Sequence, residues 1–92
     1  MDTYSDIALA IIKEQEKVIG PVAVSQAEQV SGLSVDWNAK KVVISQDPKT
    51  VINHLVAQYK TLFGQISVEV CKEAVGRLQQ GMSPEQLPTS LR

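Results

Sequence analysis

The sequence predicts an α+β fold of order ααββαα, in which two helix-turn-helix pairs flank a β-hairpin, and three observations carry that prediction. Apolar residues recur at helical spacing ahead of Gly20 and again ahead of Gly64. Between them, from Leu33 to Ser45, the period drops to two. The two helical stretches also align on one another. With Gly64 placed on Gly20, an offset of 44 residues sets Ile7 on Val51, Ile11 on Leu55, Val22 on Ile66 and Gly32 on Gly76, a match open to two readings: an α-turn-α unit used twice, or two amphipathic helix pairs whose apolar positions align through helical period alone.

The first helix is expected to begin with Asp6 as its cap and to turn Ile7, Ile11 and Val18 inward, with Ala8, Ile12 and Ile19 on the adjoining row. Lys13, Glu14, Glu16 and Lys17 form its wet face. Gly20 ends it, and Pro21, which lacks an amide proton and suits a first turn, opens the second helix from Val22 to about Ser31, with Ala23, Ala27 and Val30 inward. Gly32 closes that helix.

Leu33, Val35 and Trp37 alternate with Ser34 and Asp36, and Lys41 to Ser45 is rich in β-branched residues, so Asn38, Ala39 and Lys40 make the turn of one hairpin. Asp47 caps a third helix with Pro48 at its first position, and its apolar stripe runs from Val51 through Leu62 and Phe63. A fourth helix, from Gln65 to about Gln80, carries Val68, Cys71, Val75, Leu78 and Met82 at alternating steps of three and four, the seam spacing of a helix that packs along another helix. Residues 1–80 form a single domain on this reading, and 81–92, with two prolines and no sustained period, a flexible tail.

Composition narrows the function. A 92-residue chain buries a modest core, so self-association into a homodimer is an expected source of stability. A net charge of −1 with 21% charged residues gives no basic coat, which disfavours nucleic acid as a partner. The longest apolar run near the N-terminus, Ile7 to Ile12, is far short of a membrane span. The lone Cys71 cannot form an internal disulfide, which points to a reducing, cytoplasmic setting.

Chemistry finds little support. His54 falls on the helix face opposite Ile52, Leu55 and Val56 and reads as a solvated side chain. Cys71 lies on an apolar seam with no cation to lower its pKa. The acidic pairs Glu14 with Glu16 and Glu69 with Glu73 sit on polar faces beside lysines. No catalytic residue, metal ligand set or cofactor site is implied, and the chain reads as non-enzymatic. The interface candidates are Trp37, a potential aromatic anchor, and the seam Val68, Cys71, Val75, Leu78 and Met82.

The words EKVIGPVAVSQAEQV resemble IGP-A modules, small domains appended to bacterial Ser/Thr kinases and other signalling proteins, with Ile19, Gly20, Pro21 and Ala23 as the matching residues. That resemblance covers about a fifth of the chain and implies a signalling or scaffold setting with an unidentified protein partner. The order from Ile7 to Phe63 also resembles the KH domain of single-stranded RNA binders, whose GxxG clamp would fall at Gly20 to Ala23. Alanine stands there in place of the second glycine, no cation flanks it within the turn, and the family's first strand is missing.

Overall fold

The computed structural model describes residues 3–76, with side chains from Tyr4 onward. Its elements run α1 (Thr3–Ile19), α2 (Val22–Glu28), β1 (Leu33–Asp36), β2 (Lys41–Ile44), α3 (Pro48–Phe63) and α4 (Gln65–Gly76). The α+β order ααββαα is the one the sequence predicts.

Helix α1 starts earlier than its cap suggested. Asp6 lies inside the first turn, where a carboxylate favours the helix dipole. The helix stops at Gly20, whose amide donates to the Glu16 carbonyl at 2.8 Å and whose φ of +79° few residues other than glycine tolerate. Pro21 then opens α2. That helix ends at Glu28, sooner than expected, because Gln29 and Val30 turn tightly on the carbonyls of Gln26 and Ala27. The turn still drops Val30 into the core.

The hairpin pairs Leu33 with Ile44, Ser34 with Val43, Val35 with Val42 and Asp36 with Lys41. Alternation puts Leu33, Val35, Val42 and Ile44 on the inner face against α1 and α2, and leaves Ser34, Asp36, Lys41 and Val43 outside. Trp37 to Lys40 make the connection, closed by the Lys40 amide on the Trp37 carbonyl at 3.2 Å and by the Ala39 amide on Asp36 Oδ1 at 3.3 Å. Lys40 carries a φ of +53°, a left-handed conformation rarely adopted by a long side chain.

Asp47 caps α3. Its Oδ2 accepts from the Thr50 amide at 3.1 Å and the Thr50 hydroxyl at 2.7 Å, and these bonds, the hydroxyl's first, hold the carboxyl below its usual range. Val51, Ile52, Leu55, Val56 and Tyr59 are buried, and α3 ends at Gly64, whose amide returns to the Lys60 carbonyl at 2.8 Å. One core runs through all six elements, with Tyr59, Ile7, Ile11, Ile12, Ile52 and Leu55 its largest fully buried side chains. Each of these contributes roughly 1.5–3 kcal/mol by leaving water.

Two inward assignments fail. Val18 and Leu62, placed on the inner stripes by spacing, are 61% and 49% exposed. They occupy the last turns of α1 and α3, where the chain leaves the core for the interhelical bends, so no element lies over them. Conversely Gln15, read as neither core nor site, is fully buried between α1 and α4.

Candidate functional site

The α4 seam is spent inside the molecule. Val68, Cys71 and Val75 are buried in the chain's own core, against α1 and α3, and are therefore not a surface open to a partner. The spacing named a face that packs on a helix, and α1 of the same chain supplies that helix. Leu78 and Met82 lie outside the described residues.

Trp37 is placed differently. It lines a groove of about 590 Å³ between α1, the hairpin connection and α4, whose walls combine the apolar Val18, Val70 and Ala74 with ionisable side chains of both signs, Lys13 and Glu73 among them. The half-buried indole is held from two sides: Nε1 donates to Glu16 Oε2 at 3.0 Å, and Lys40 Nζ stands 3.8 Å from the ring centroid. A cation over an indole is worth about 0.5–1 kcal/mol at an exposed site. Beside it Lys17 pairs with Glu14 at 3.0 Å, so part of the rim charge is already neutralised. The result is a fixed aromatic wall beside a few apolar side chains, in a groove whose three cations and three carboxylates balance.

His54 is exposed on the outside of α3, and Cys71 is sealed, so the two do not share an accessible cleft. Burial pushes the Cys71 thiol up from 9.0 to about 11, against a small opposing pull from the Gln15 amide. That is the protonation state of an inert thiol. Among the described residues no group of three or more His, Cys, Asp or Glu side chains converges on a point where a metal could sit.

The Gly20 to Ala23 turn shows Pro21 and Val22 to solvent, while the Ala23 carbonyl is taken by the Tyr59 hydroxyl at 2.6 Å. Lys17, the nearest preceding cation in sequence, is the one paired with Glu14.

Comparison with family models, with curated proteins and with solved structures returns no match.

The two α-turn-α units correspond closely in geometry. Gly20 and Gly64 have φ values of +79° and +87°. The amides of both donate four residues back, to Glu16 and Lys60, and the carbonyls of both accept from the third residue on, Ala23 at 3.0 Å and Ser67 at 3.1 Å. Every one of these pairs is separated by the same 44 positions that align the sequence.

The units are also joined reciprocally. Tyr59 Oη in α3 donates to the Ala23 carbonyl in the first turn of α2 at 2.6 Å, and Gln15 Nε2 in α1 donates to the Ser67 carbonyl in the first turn of α4 at 2.9 Å. Gln15 corresponds to Tyr59 and Ala23 to Ser67, so exchanging the units exchanges the bonds, which is the signature of an approximate two-fold relation. Gln15 additionally donates to Cys71 Sγ at 3.3 Å, and its Oε1 finds no partner among the described residues.

Around those turns stand four of the large exposed apolar side chains: Val18, Val22, Leu62 and Ile66 at 61, 38, 49 and 70% exposure. The repeat carries a signal for this, since it matches Val18 to Leu62 and Val22 to Ile66, but spacing assigns Val18 and Leu62 to the inner stripes and Val22 and Ile66 to no surface.

Proposed function

We propose that this chain is a non-enzymatic regulatory or scaffold module of the cytoplasm, acting through self-association and through a protein partner docked beside Trp37. The groove carries the reading. The protein's single tryptophan forms one wall of it, clamped by Glu16 and Lys40, so its ordering cost is already met before a partner arrives. Tryptophans fixed at the edge of a hollow are the residues on which binding energy concentrates. With Lys17 and Glu14 satisfying one another, the hollow suits an extended or helical segment presenting a few apolar side chains and little net charge.

Panning a random-peptide display library against the protein tests it. The single indole makes its own emission the readout. Enriched peptides should shift Trp37 emission on titration, and Ala74→Arg, which fills part of the groove, should abolish the shift while leaving the fold intact. Failure to enrich any peptide that moves the emission, or enriched peptides indifferent to Ala74→Arg, would remove the groove from the account.

A further inference from the structure

We propose that the chain's own C-terminal segment, within residues 77–92, seats its apolar and proline residues in the Trp37 groove, so that an external partner must displace it. The inference rests on the reading of that groove as a peptide-docking site and supplies the regulation of it.

The point of attachment leads there first. Val70, Glu73 and Ala74 of α4 line the groove, and α4 runs to Gly76, two residues past Ala74. The chain therefore leaves α4 at the groove's edge. Along the α1 wall, from Ala10 to Val18, the groove is about 12 Å long at a helical rise of about 1.5 Å per residue, a distance that about four extended residues cover. Residues 77–92, which lie outside the described part of the structure, have that length to spare. A ligand on so short a tether is present at millimolar effective concentration, so weak contacts suffice to hold it.

Charge points the same way. Within the groove Lys17 is paired with Glu14, and Glu16 and Lys40 are engaged with Trp37. Lys13 and Glu73 have no ion pair among the described residues. The segment carries one acidic side chain, Glu85, and two basic ones, Arg77 and Arg92. It thus brings an answering charge for each of the two groups left over, with Arg77 four residues beyond Glu73.

The apolar residues complete the match. Trp37 stands in the groove with Val70 and with Val18, which is 61% exposed. The segment offers Met82, Leu87 and Leu91, interleaved with Pro84 and Pro88. Proline-bearing segments dock grooves walled by aromatic rings because their backbone is already restricted and little entropy is lost on binding. The same segment of a second copy has these side chains without the tether, which favours the chain's own.

The experiment is nuclear magnetic resonance of the full chain with a nitroxide attached through Ser90→Cys, and circular dichroism to verify folding. Cys71 is fully buried and escapes the label, and the single indole gives a single signal. The label should broaden the Trp37 signal several-fold more than that of His54, which lies on α3 and outside the groove. Leu87→Asp in the segment and Ala74→Arg in the groove should each remove that difference. Equal broadening at the two sites, or a difference that persists in both variants, overturns the docking and leaves the groove to the display-selected peptides. Broadening carried from labelled molecules to unlabelled, isotope-enriched ones overturns the intramolecular assignment in favour of a segment exchanged between copies. Selected peptides should also bind Leu87→Asp about tenfold tighter than the wild type, the gain expected if the groove stands open about a tenth of the time. Equal affinity for the two overturns the displacement. A segment that docks while no peptide is enriched sinks the partner and upholds the docking.

Discussion

Gln15 and Tyr59 occupy equivalent positions in the two α-turn-α units, and each donates a hydrogen bond to the opening turn of the other unit's second helix, at 2.9 and 2.6 Å. The two bonds differ in what they leave behind. Tyr59 places a single donor on a single acceptor, whereas Gln15 also buries an Oε1 with no partner among the described residues. A buried orphan acceptor costs about 1–3 kcal/mol, and a satisfied neutral bond returns about 1. Tyr59→Phe is therefore expected to lower stability by about 1 kcal/mol. Gln15→Met, which keeps the length and discards the orphan oxygen, should match or exceed the wild type in urea denaturation. A Gln15→Met protein less stable than Tyr59→Phe would show that the amide is better satisfied than its geometry indicates.

The glycine turns give a paired prediction. An added Cβ meets nothing within 4 Å at Gly20 or Gly64, so alanine at either acts through the backbone alone. The positive φ angles put that cost at roughly 1–3 kcal/mol at each site. At Gly32 the same carbon would lie 2.9 Å from the Gln46 side chain, adding a clash to a φ of +85°. Chemical denaturation should rank Gly32→Ala at least as damaging as the other two, and equally damaging substitutions at all three would argue that Gln46 simply swings aside.

Alkali should unfold the protein from a predictable point. Burial raises the Cys71 thiol from 9.0 to about 11 and, with the Cys71 charge as a lesser cause, raises the Tyr59 phenol as well. Both groups are held protonated in the folded state at a pH where the unfolded chain has released them. Their contribution is complete below about pH 9 and is lost as pH climbs toward 11 and beyond. Urea midpoints should thus be flat through neutrality and decline above about pH 9, and Cys71→Ala should soften the decline without removing it. A midpoint independent of pH up to 10.5 contradicts this, a limit set by roughly where an unperturbed tyrosine ionises.

Lys40 joins a strained backbone to a stacked cation. Glycine and alanine both delete the ammonium, so the difference between Lys40→Gly and Lys40→Ala isolates the backbone. Glycine should be the more stable of the two by about 1 kcal/mol, the reverse of their usual order in regular structure. Both should alter Trp37 emission by the same amount, since the cation over the ring is gone in each.

Much of this architecture was legible because local chemistry set it. The Gly20-Pro21 stop and start, the Asp47-Pro48 cap and the change of period at Leu33 are each decided by a few neighbouring residues. What escaped depended on contacts between distant segments. Periodicity identifies the inner face of α4 without saying whose helix covers it, so a seam buried against α1 was read as a surface. Val18 and Leu62 continue their stripes in sequence after the core has ended in space. Gln15 lies four residues beyond Ile11 and three beyond Ile12, a core position by spacing, and was passed over because it is polar. Aligning it with Tyr59 across the repeat would have exposed it.

The acceptors in the reciprocal joint, the carbonyls of Ala23 and Ser67, belong to the main chain, and every amino acid carries one. Only the donors must be chosen, and either an amide or a phenol can reach the carbonyl, though the amide brings an oxygen that must also be housed. Each half of the joint can therefore use a different donor side chain with the same geometry, so two units with few identical residues have matching turns and matching bonds. The acceptor side of that docking is supplied by the peptide backbone itself, and a comparison that reads side chains alone understates how alike the halves are.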